Sequence, residues 1–408
     1  MNKKKISMDK QLMQDINQHL LLNLIREHTP VSRKRLKDLS GLSQGTIVGI
    51  VAALMERQLI VETSKVPSTG GRKAVLLELY ADGWYTIGMN VYGDSITGVL
   101  LNFQAEVLST YQWPISLHDC GEQGVEHIAA CVEDLIKQCG VPREKILGVG
   151  CGLSGYVDTE QGVSIDNWML NWHHIELRDP LAQKLGMPVW IDNAVNCLAS
   201  YEKLFGQGQG IQDFLVVNLG RGLGLACVIR GDVYRGAHNG GAEFGHIPYE
   251  PQGRLCACGK QGCYEAYLGD QGVLRTYHES GGEVNPISSI AELFALAEQG
   301  NHVALKTVQR TGAILGQGLA VLTTLFNPKR IILYTEHVPL NDELFQTAIQ
   351  TLHAKAFSQL AQEVHVVTEA PADYTNWARG AGCSILLQFF LDSTKKNPVN
   401  EQSASLAF

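Results

Sequence analysis

The 408-residue sequence has no long hydrophobic run, and this absence excludes several classes of protein. No apolar stretch reaches the roughly 20 residues that a membrane-spanning helix needs. The basic opening residues 1–14 lack the apolar stretch of a secretory signal. Low-complexity tracts and a strong internal repeat are also missing. We therefore expect a cytoplasmic protein that has no membrane partner.

Charged residues are also sparse, at 18% of the sequence, whereas hydrophobic residues make up 45%. These fractions are those of an ordinary globular protein with substantial cores. At roughly 150 residues per domain, the length predicts two or three domains.

The sequence shows little sign of a disulfide framework, although it has ten cysteines. Seven of them are scattered, and most of these, such as Cys131, Cys151, Cys227 and Cys383, sit in apolar contexts. Buried free thiols in a reducing compartment are the expected interpretation.

Positive charge is scarce overall, since the net charge is −8. Its distribution is uneven, because residues 1–82 hold 13 Lys/Arg against 8 Asp/Glu, a balance of +5. The rest of the chain therefore carries −13. A basic head on an acidic body is typical of a DNA-binding module joined to another domain.

Three short helices are predicted in this basic head. Ile16, Leu20, Leu24 and Ile25 recur at helical spacing, and Pro30 ends that first helix. Two capped helices follow, the second beginning after Ser32 and ending at Gly41, and the third beginning after Ser43. Two short helices around a glycine-bearing turn indicate a helix-turn-helix. The β-rich runs that follow, around a Pro/Ser/Thr/Gly loop, are typical of the wing of a winged helix.

A helix-turn-helix reads base edges near the start of its last helix and holds phosphates with basic side chains. The predicted DNA contacts are Arg33, Arg35, Ser43, Gln44, Thr46, Arg72 and Lys73. The alternative for this head is a small basic helical domain that binds protein, and the +5 balance favours DNA.

From about Trp84 the pattern changes to alternating strands and helices, which predicts an α/β fold in two lobes with a closing helix at about 375–391.

The strongest local signal is a histidine followed by three clustered cysteines: His246, Cys256, Cys258 and Cys263. One histidine and three thiolates make a complete tetrahedral set for zinc. With all four positions filled by protein, the site should be structural, with no open position for water. Reduced thiols without a metal are the alternative.

These residues lie in a run that resembles the ROK family of sugar kinases and sugar-responsive repressors. Gly241–His246 matches the family's Glu-x-Gly-His element, and Cys256–Glu265 matches its Cys-x-Cys-Gly-x-x-Gly-Cys-x-Glu segment. The helix-turn-helix and the sequence TGGRKAVLLEL resemble the repressor branch, which includes glucose, N-acetylglucosamine and xylose regulators. The resemblance covers essentially the whole chain.

The resemblance implies a winged helix-turn-helix followed by a ribonuclease-H-like, actin-type pair of lobes with a sugar in the cleft. We predict a head at 1–82, a first lobe at 83–198 plus 375–408, and a second lobe at 199–374 with the zinc site, the effector cleft and a dimerisation surface. By position, the residues that would contact the effector are Asn193, Glu243, His246 and Glu265. The alternative for the two glutamates is a place behind the zinc ligands or on the surface.

The family's kinases carry Asn-Asp-x-Asn where this chain has Asn193, Ala194, Val195 and Asn196. The position of the catalytic base is therefore alanine, which cannot accept a proton. A shifted role for Asp192 stays open.

The nucleotide elements also depart from the kinase pattern. The first phosphate loop has Asn90 for its aspartate, and the second loop, Gly220–Gly224, has Arg221 for its threonine. Where the family's kinases have glycines near adenosine, this chain has Tyr334, Thr335 and Glu336. We expect no enzyme activity and no ATP as cofactor.

The family's Pro-Asn-Leu segment supplies an asparagine to the sugar, and Met169 aligns with that asparagine. A shift of register would restore it through Asn167 or Asn171. Trp168 and Trp172 make this segment bulky, which predicts a ligand other than glucose.

The sequence therefore predicts a transcriptional repressor that binds a palindromic operator as a homodimer or tetramer and responds to a sugar-like effector. Two alternatives remain: an active sugar kinase with a fused DNA-binding domain, and a regulator controlled by a protein partner.

Overall fold

The computed structural model describes residues 10–63, 75–282, 287–337, 342–369 and 373–390. It divides the chain into two compact units. Unit 1 contains Met1–Gly152, Glu176–Asp192 and Ala378–Phe408, and unit 2 contains Leu153–Ile175 and Asn193–Trp377.

The head of unit 1 is built from three helices and a small sheet. The helices are α1 (Lys10–Glu27), α2 (Arg33–Ser40) and α3 (Gln44–Glu56). The strands β1 (Val31–Ser32), β2 (Ile60–Thr63) and β3 (Leu76–Leu79) pair in the order β1-β3-β2, antiparallel throughout. Residues 64–74, which include the predicted contacts Arg72 and Lys73, lie outside the described residues.

Local signals set the ends of α2 and α3. The hydroxyl of Ser32 accepts a hydrogen bond from Arg35 N, and that of Ser43 accepts one from Thr46 N, both at 3.2 Å. Gly41 ends α2 in the left-handed conformation at φ 70°. The chain bends by 116° between the two helices, as in a helix-turn-helix.

The rest of unit 1 is an α/β lobe around a five-stranded sheet of order β11-β7-β4-β5-β6. Its strands are β4 (Tyr85–Tyr92), β5 (Ser95–Asn102), β6 (Val107–Trp113), β7 (Ile146–Leu153) and β11 (Val189–Asn193). Its helices are α4 (Gln123–Cys139), α5 (Arg178–Leu185) and the part of α13 (Tyr374–Phe390) from Ala378 onward.

Helix α13 lies directly on the backbone of this sheet. A Cβ at Gly88 of β4 or at Gly150 of β7 would come within 1.8 Å of a carbonyl oxygen of α13, that of Ala378 or Ala381. Only glycine permits this close approach.

The end of α13 also contacts the helical head of unit 1. The amide of Asn23 in α1 donates a hydrogen bond to Phe390 O at 2.9 Å. The guanidinium of Arg26 lies 5.5 Å from the centre of the Phe390 ring. The Phe103 ring packs 5.6 Å from Phe389 and 5.3 Å from Phe390. Helix α1 is therefore joined to the end of α13 by a hydrogen bond and a cation–π contact.

Unit 2 has two sheets. A three-stranded sheet of order β10-β9-β8 is formed by β8 (Tyr156–Asp158), β9 (Val163–Asn167) and β10 (Trp172–Glu176). A five-stranded sheet of order β14-β13-β12-β15-β16 is formed by β12 (Phe214–Leu219), β13 (Leu223–Ile229), β14 (Asp232–Tyr234), β15 (Arg330–Thr335) and β16 (His365–Thr368). Strand β12 runs parallel to β15 and antiparallel to β13.

Seven helices complete the described part of unit 2: α6 (Ala194–Leu204), α7 (Glu265–Leu268), α8 (Asp270–Glu279), α9 (Ile290–Glu298), α10 (His302–Phe326), α11 (Asp342–Lys355) and α12 (Leu360–Glu363). Leu215, Phe244, Leu319 and Leu333 are among the buried residues of their common core.

The sequence places the segment Leu153–Ile175 in the first lobe, whereas the structure packs it in unit 2. Its strands pair with one another, and the Tyr156 hydroxyl donates a hydrogen bond to His238 O at 2.5 Å. Such long-range contacts have no local sequence signal.

Within the described residues, no single helix is long and apolar enough to cross a membrane. Among the described helices, the bent pair α2 and α3 meets that length and composition test, but only when the two helices are counted together.

Candidate functional site

The predicted metal ligands come together in unit 2. One ligand atom from each of His246, Cys256, Cys258 and Cys263 lies within 4.8 Å of the others. Cys256 Sγ is 3.7 Å from His246 Nδ1, and Cys258 Sγ is 3.8 Å from Cys263 Sγ. The four residues can therefore hold one metal ion.

A short hairpin of the backbone positions these ligands. Isolated β-bridges join Pro248 to Cys263 and Leu255 to Gln261. Gly262 has φ 80°, and a Cβ there would lie 1.9 Å from Glu250 O, so the turn requires glycine.

Burial raises the pKa of the Cys256 thiol to about 12 and also raises the pKa of Cys263. A metal ion that binds here must therefore displace protons from these sulfurs. His246 turns Nδ1 toward Cys256, so Nε2 is the nitrogen left for another ligand.

Glu265, the first residue of α7, lies between the cysteine cluster and the β12–β13 loop. One carboxylate oxygen accepts a hydrogen bond from Leu223 N at 3.0 Å, and the other is 3.9 Å from Cys256 Sγ. The side chain thus ties the cluster to the glycine loop.

A polar cleft in unit 2 contains two of the predicted effector residues. Asn193, Asn196, Asn239 and Glu243 supply its polar side chains, and Gly155, Gly224 and Gly241 are among its backbone contributors. His246 and Glu265 are not among the residues that line it.

Asn193 is tied to the fold at both ends of its amide. Its Oδ1 caps α6 by accepting from Val195 N at 2.9 Å, and its Nδ2 donates to Gly155 O at 3.0 Å. These bonds fix the orientation of the side chain at the cleft.

The sequence interpretation did not assign Asn196 and Asn239 to the cleft. Asn196 follows Asn193 by three residues, which on a helix gives neighbouring positions, and this spacing was an available signal. Asn239 sits at φ 59° and donates to Asp158 Oδ1 at 3.0 Å across 81 residues, a contact without a local signal.

Glu243 keeps an exposed surface, but the protein around its carboxyl removes part of its hydration and so raises the pKa of that carboxyl. His246 opposes the shift, and Glu265 adds to it.

The β12–β13 glycine loop is occupied by a side chain of the protein itself. Glu336, which follows β15, accepts hydrogen bonds from Asn218 Nδ2 at 2.9 Å and from Arg221 N at 3.3 Å. A Cβ at Gly220 would lie 2.4 Å from the carboxyl carbon of Glu336. Burial raises the pKa of this carboxyl.

Tyr334, two residues before Glu336, is buried in the interior of unit 2. It is 4% exposed, and its hydroxyl donates a hydrogen bond to Glu202, which is fully buried. Glu202 also accepts from Gln207 N at 2.6 Å. Burial raises the pKa of the Glu202 carboxyl, and both hydrogen bonds oppose the shift.

In the segment that replaces the family's Pro-Asn-Leu, Asn167 is fully buried and serves the fold. Its Oδ1 accepts from Leu170 N and from the Ser154 hydroxyl, both at 3.1 Å. Trp172 is fully buried, whereas Trp168 is 46% exposed at the hairpin end.

In the head, Ser43, Gln44 and Thr46 stand exposed at the start of α3. The Ser43 and Thr46 hydroxyls lie 2.8 Å apart, so both take part in the helix cap. Arg35 is exposed on α2, whereas Arg33 forms an ion pair with Glu62 at 2.6 Å.

A helix-turn-helix head joined to α/β units with a His-Cys₃ cluster defines the class of protein. The chain belongs to the ROK family, whose sequence model matches residues 86–388. Helices α1 to α3 precede the matched region.

Particular relatives share nearly the whole chain. The xylose repressor of Bacillus subtilis (strain 168) is 27% identical over 386 residues, covering 94% of this chain and 98% of the relative. A solved ROK family transcriptional regulator, described as a homologue of the Escherichia coli MLC protein, covers 92% of this chain and 97% of its own, with a TM-score of 0.79 and 25% identity.

A ROK family glucokinase from Streptomyces griseus, solved with glucose and AMPPNP, is 27% identical with a TM-score of 0.62. It covers 73% of this chain and 98% of its own.

Proposed function

We propose that this chain is a DNA-binding transcriptional repressor of carbohydrate genes, and that a sugar or sugar derivative bound in unit 2 controls its affinity for operator DNA. The observation that carries the proposal is the head itself. Its two capped helices bend by 116° in a chain that matches a named xylose repressor over 94% of its length. The proposed place of action is the cytoplasm.

The DNA contacts follow from exposure and charge. Gln44 and Thr46 are available to base edges at the start of α3, and Arg35 is available to a phosphate. Arg33 is held by Glu62, so its contribution to phosphate binding is the smaller one. Ser43, Arg72 and Lys73 complete the proposed set. A homodimer or tetramer would read a palindrome.

For the effector, the cleft offers amides and a carboxylate, which bind sugar hydroxyls as donors and acceptors. Asn193 and Glu243 line the cleft, and Asn196 and Asn239 join them. We also assign His246, through Nε2, and Glu265 to the effector, because they occupy the family's Glu-x-Gly-His and Cys-x-Cys-Gly-x-x-Gly-Cys-x-Glu elements.

Zinc is the metal that the His-Cys₃ set fits. Bonds of about 2.3 Å to sulfur and about 2.0–2.1 Å to nitrogen predict tetrahedral edges of about 3.8 Å and about 3.6 Å. The corresponding distances here are 3.8 Å and 3.7 Å. Zinc would stabilise the loop structurally, with all four positions taken by protein.

Several features support the loss of phosphoryl transfer. Ala194 offers no base, and Glu336 already accepts the Arg221 amide that a phosphate would need. Tyr334 fills space that the kinases keep open with glycine. The sugar cleft is retained without use of ATP.

An electrophoretic mobility shift on the DNA upstream of the protein's own gene, with and without a panel of sugars, tests the proposal. We expect a palindromic site to be bound and one sugar to change its affinity. Binding to no such site at modest salt would contradict the proposed function.

A coupled ATP assay with glucose, N-acetylglucosamine, xylose and allose tests the enzymatic alternative. We expect no turnover. Turnover that disappears in Asp192→Ala would show that a shifted base replaces Ala194.

A further inference from the structure

Helix α3 presents an outward face without charge and almost without side chains. Between Gln44 and Ala53 the helix contains no charged residue. Gly45, Val48, Gly49 and Ala52 are all exposed at helical spacing on one face, and we call this face the smooth ridge.

The fold does not account for the two glycines of the smooth ridge. Both have ordinary helical backbone angles, since neither is among the described residues with positive φ. A Cβ at Gly49 would meet nothing within 4 Å, and one at Gly45 would meet only the Ser43 hydroxyl at 4.0 Å. Glycine is disfavoured in a helix relative to alanine. The described chain therefore gives no steric reason for glycine at either position.

Val48 is not required by the hydrophobic core either. It is 50% exposed, whereas Ile47, Ile50 and Leu54 on the opposite face are at most 6% exposed. An exposed valine flanked by glycines presents its two methyl groups to whatever lies against the helix.

Charge complementarity identifies the partner. Lys34, Arg35 and Lys37 are exposed on the preceding helix, where they suit phosphates that border a groove. The smooth ridge itself has no side chain that could bind a phosphate. The floor of the major groove fits it, because thymine presents a methyl group there and adenine presents a donor and an acceptor that match a glutamine amide.

We propose that the smooth ridge lies against A·T pairs in the major groove, with Val48 on a thymine methyl group and Gln44 on an adenine. Gly45 and Gly49 let the helix backbone approach the bases. This inference rests on the proposed function and adds the base pairs that α3 recognises.

The test begins with selection of a bound duplex from a random pool by the full chain. Each thymine of the selected half-site is then replaced by deoxyuridine, which removes only the methyl group. Replacing the thymine that contacts Val48 should weaken binding about fourfold, which is the factor for one buried methyl group. Val48→Ala should bind the thymine and uracil duplexes equally. Val75→Ala, which changes another exposed valine (44%) of the head, should keep the fourfold difference.

Gly49→Ala separates recognition from folding. We expect an unchanged or higher melting temperature, because the new methyl group meets open space and favours the helix. Affinity of Gly49→Ala for the selected duplex should fall at least about fivefold. This factor is the lower end of the cost of adding a methyl group to a closely packed surface.

The outcomes are distinct. A wild-type chain that selects no duplex contradicts the proposed function and this inference together. A chain that selects a duplex, but binds it equally well with Gly49→Ala or shows no uracil effect that depends on Val48, contradicts this inference alone and points to a protein partner for the ridge.

Discussion

Replacing Glu336 by glycine is expected to open the β12–β13 loop to phosphate. In the native chain the carboxylate accepts from Asn218 Nδ2 at 2.9 Å and from Arg221 N at 3.3 Å. A phosphate oxygen that accepted a hydrogen bond from Arg221 N would compete with the Glu336 carboxylate for the same N–H. It would therefore lie within about 4 Å of the negative charge of Glu336.

The size of the effect follows from that distance. Two unit charges about 4 Å apart repel by about 4 kcal/mol at an effective dielectric constant of about 20. Each 1.4 kcal/mol is about tenfold in affinity. We expect Glu336→Gly to bind tripolyphosphate about a hundredfold to a thousandfold more tightly than the native chain. Glu336→Gln should gain less, because it removes the charge and keeps the bulk.

Isothermal titration calorimetry with tripolyphosphate and with ATP measures these affinities, and urea unfolding of each variant checks that the fold is retained. Because burial raises the pKa of Glu336, its protonation on acidification should strengthen tripolyphosphate binding by the native chain. The glycine variant should lack this contribution to the pH dependence.

Equal affinity of the native chain and Glu336→Gly for both ligands would refute the interpretation, since the carboxylate would then not compete for the loop. Turnover should stay absent in every variant, because Ala194 is unchanged.

Three further outcomes are expected. Cys256→Ser should lose stoichiometric zinc by metal analysis, whereas Cys120→Ser, outside the cluster, should retain it. Glu243→Gln should weaken effector binding about tenfold to a hundredfold in calorimetry, the range for a hydrogen bond to a charged group, and leave DNA affinity without effector unchanged. Tyr334→Phe removes a hydrogen bond that stabilises the charged form of Glu202, so the raised pKa of that carboxyl should rise further. The stability that a raised carboxyl pKa contributes is complete below the unfolded-state pKa and is lost as pH rises through the folded-state pKa. Between acid and neutral pH, Tyr334→Phe should therefore lose more free energy of unfolding than the native chain does. Urea unfolding should show this extra loss as about 1.5–3 kcal/mol.

Local signals in the sequence were sufficient for the head. The hydroxyls of Ser32 and Ser43 cap the predicted helices, and Gly41 ends α2 as expected. Capping depends on atoms two or three residues apart, so the sequence shows it directly. The cysteine cluster was predictable for the same reason, because its ligands span only eighteen residues.

Contacts between distant segments were not predictable. The ion pair of Arg33 with Glu62 joins residues 29 apart, and Glu336 reaches Asn218 across 118 residues. The sequence indicated Glu336 as an unusual residue but not that its carboxylate occupies the loop. Asn239 lines the cleft and donates a hydrogen bond to Asp158, 81 residues away in the sequence. Such partners depend on tertiary packing.

The contact between α1 and the end of α13 has a consequence for protein engineering. Because Asn23 and Arg26 bind Phe390, the head is not an interchangeable module joined by a neutral linker. A chimera that carries a foreign head on this body would leave the Phe390 ring and its backbone carbonyl without their native neighbours in α1. Transplanting operator specificity should therefore succeed by exchanging the outward face of α3 alone, or by moving α1 together with the last turn of α13.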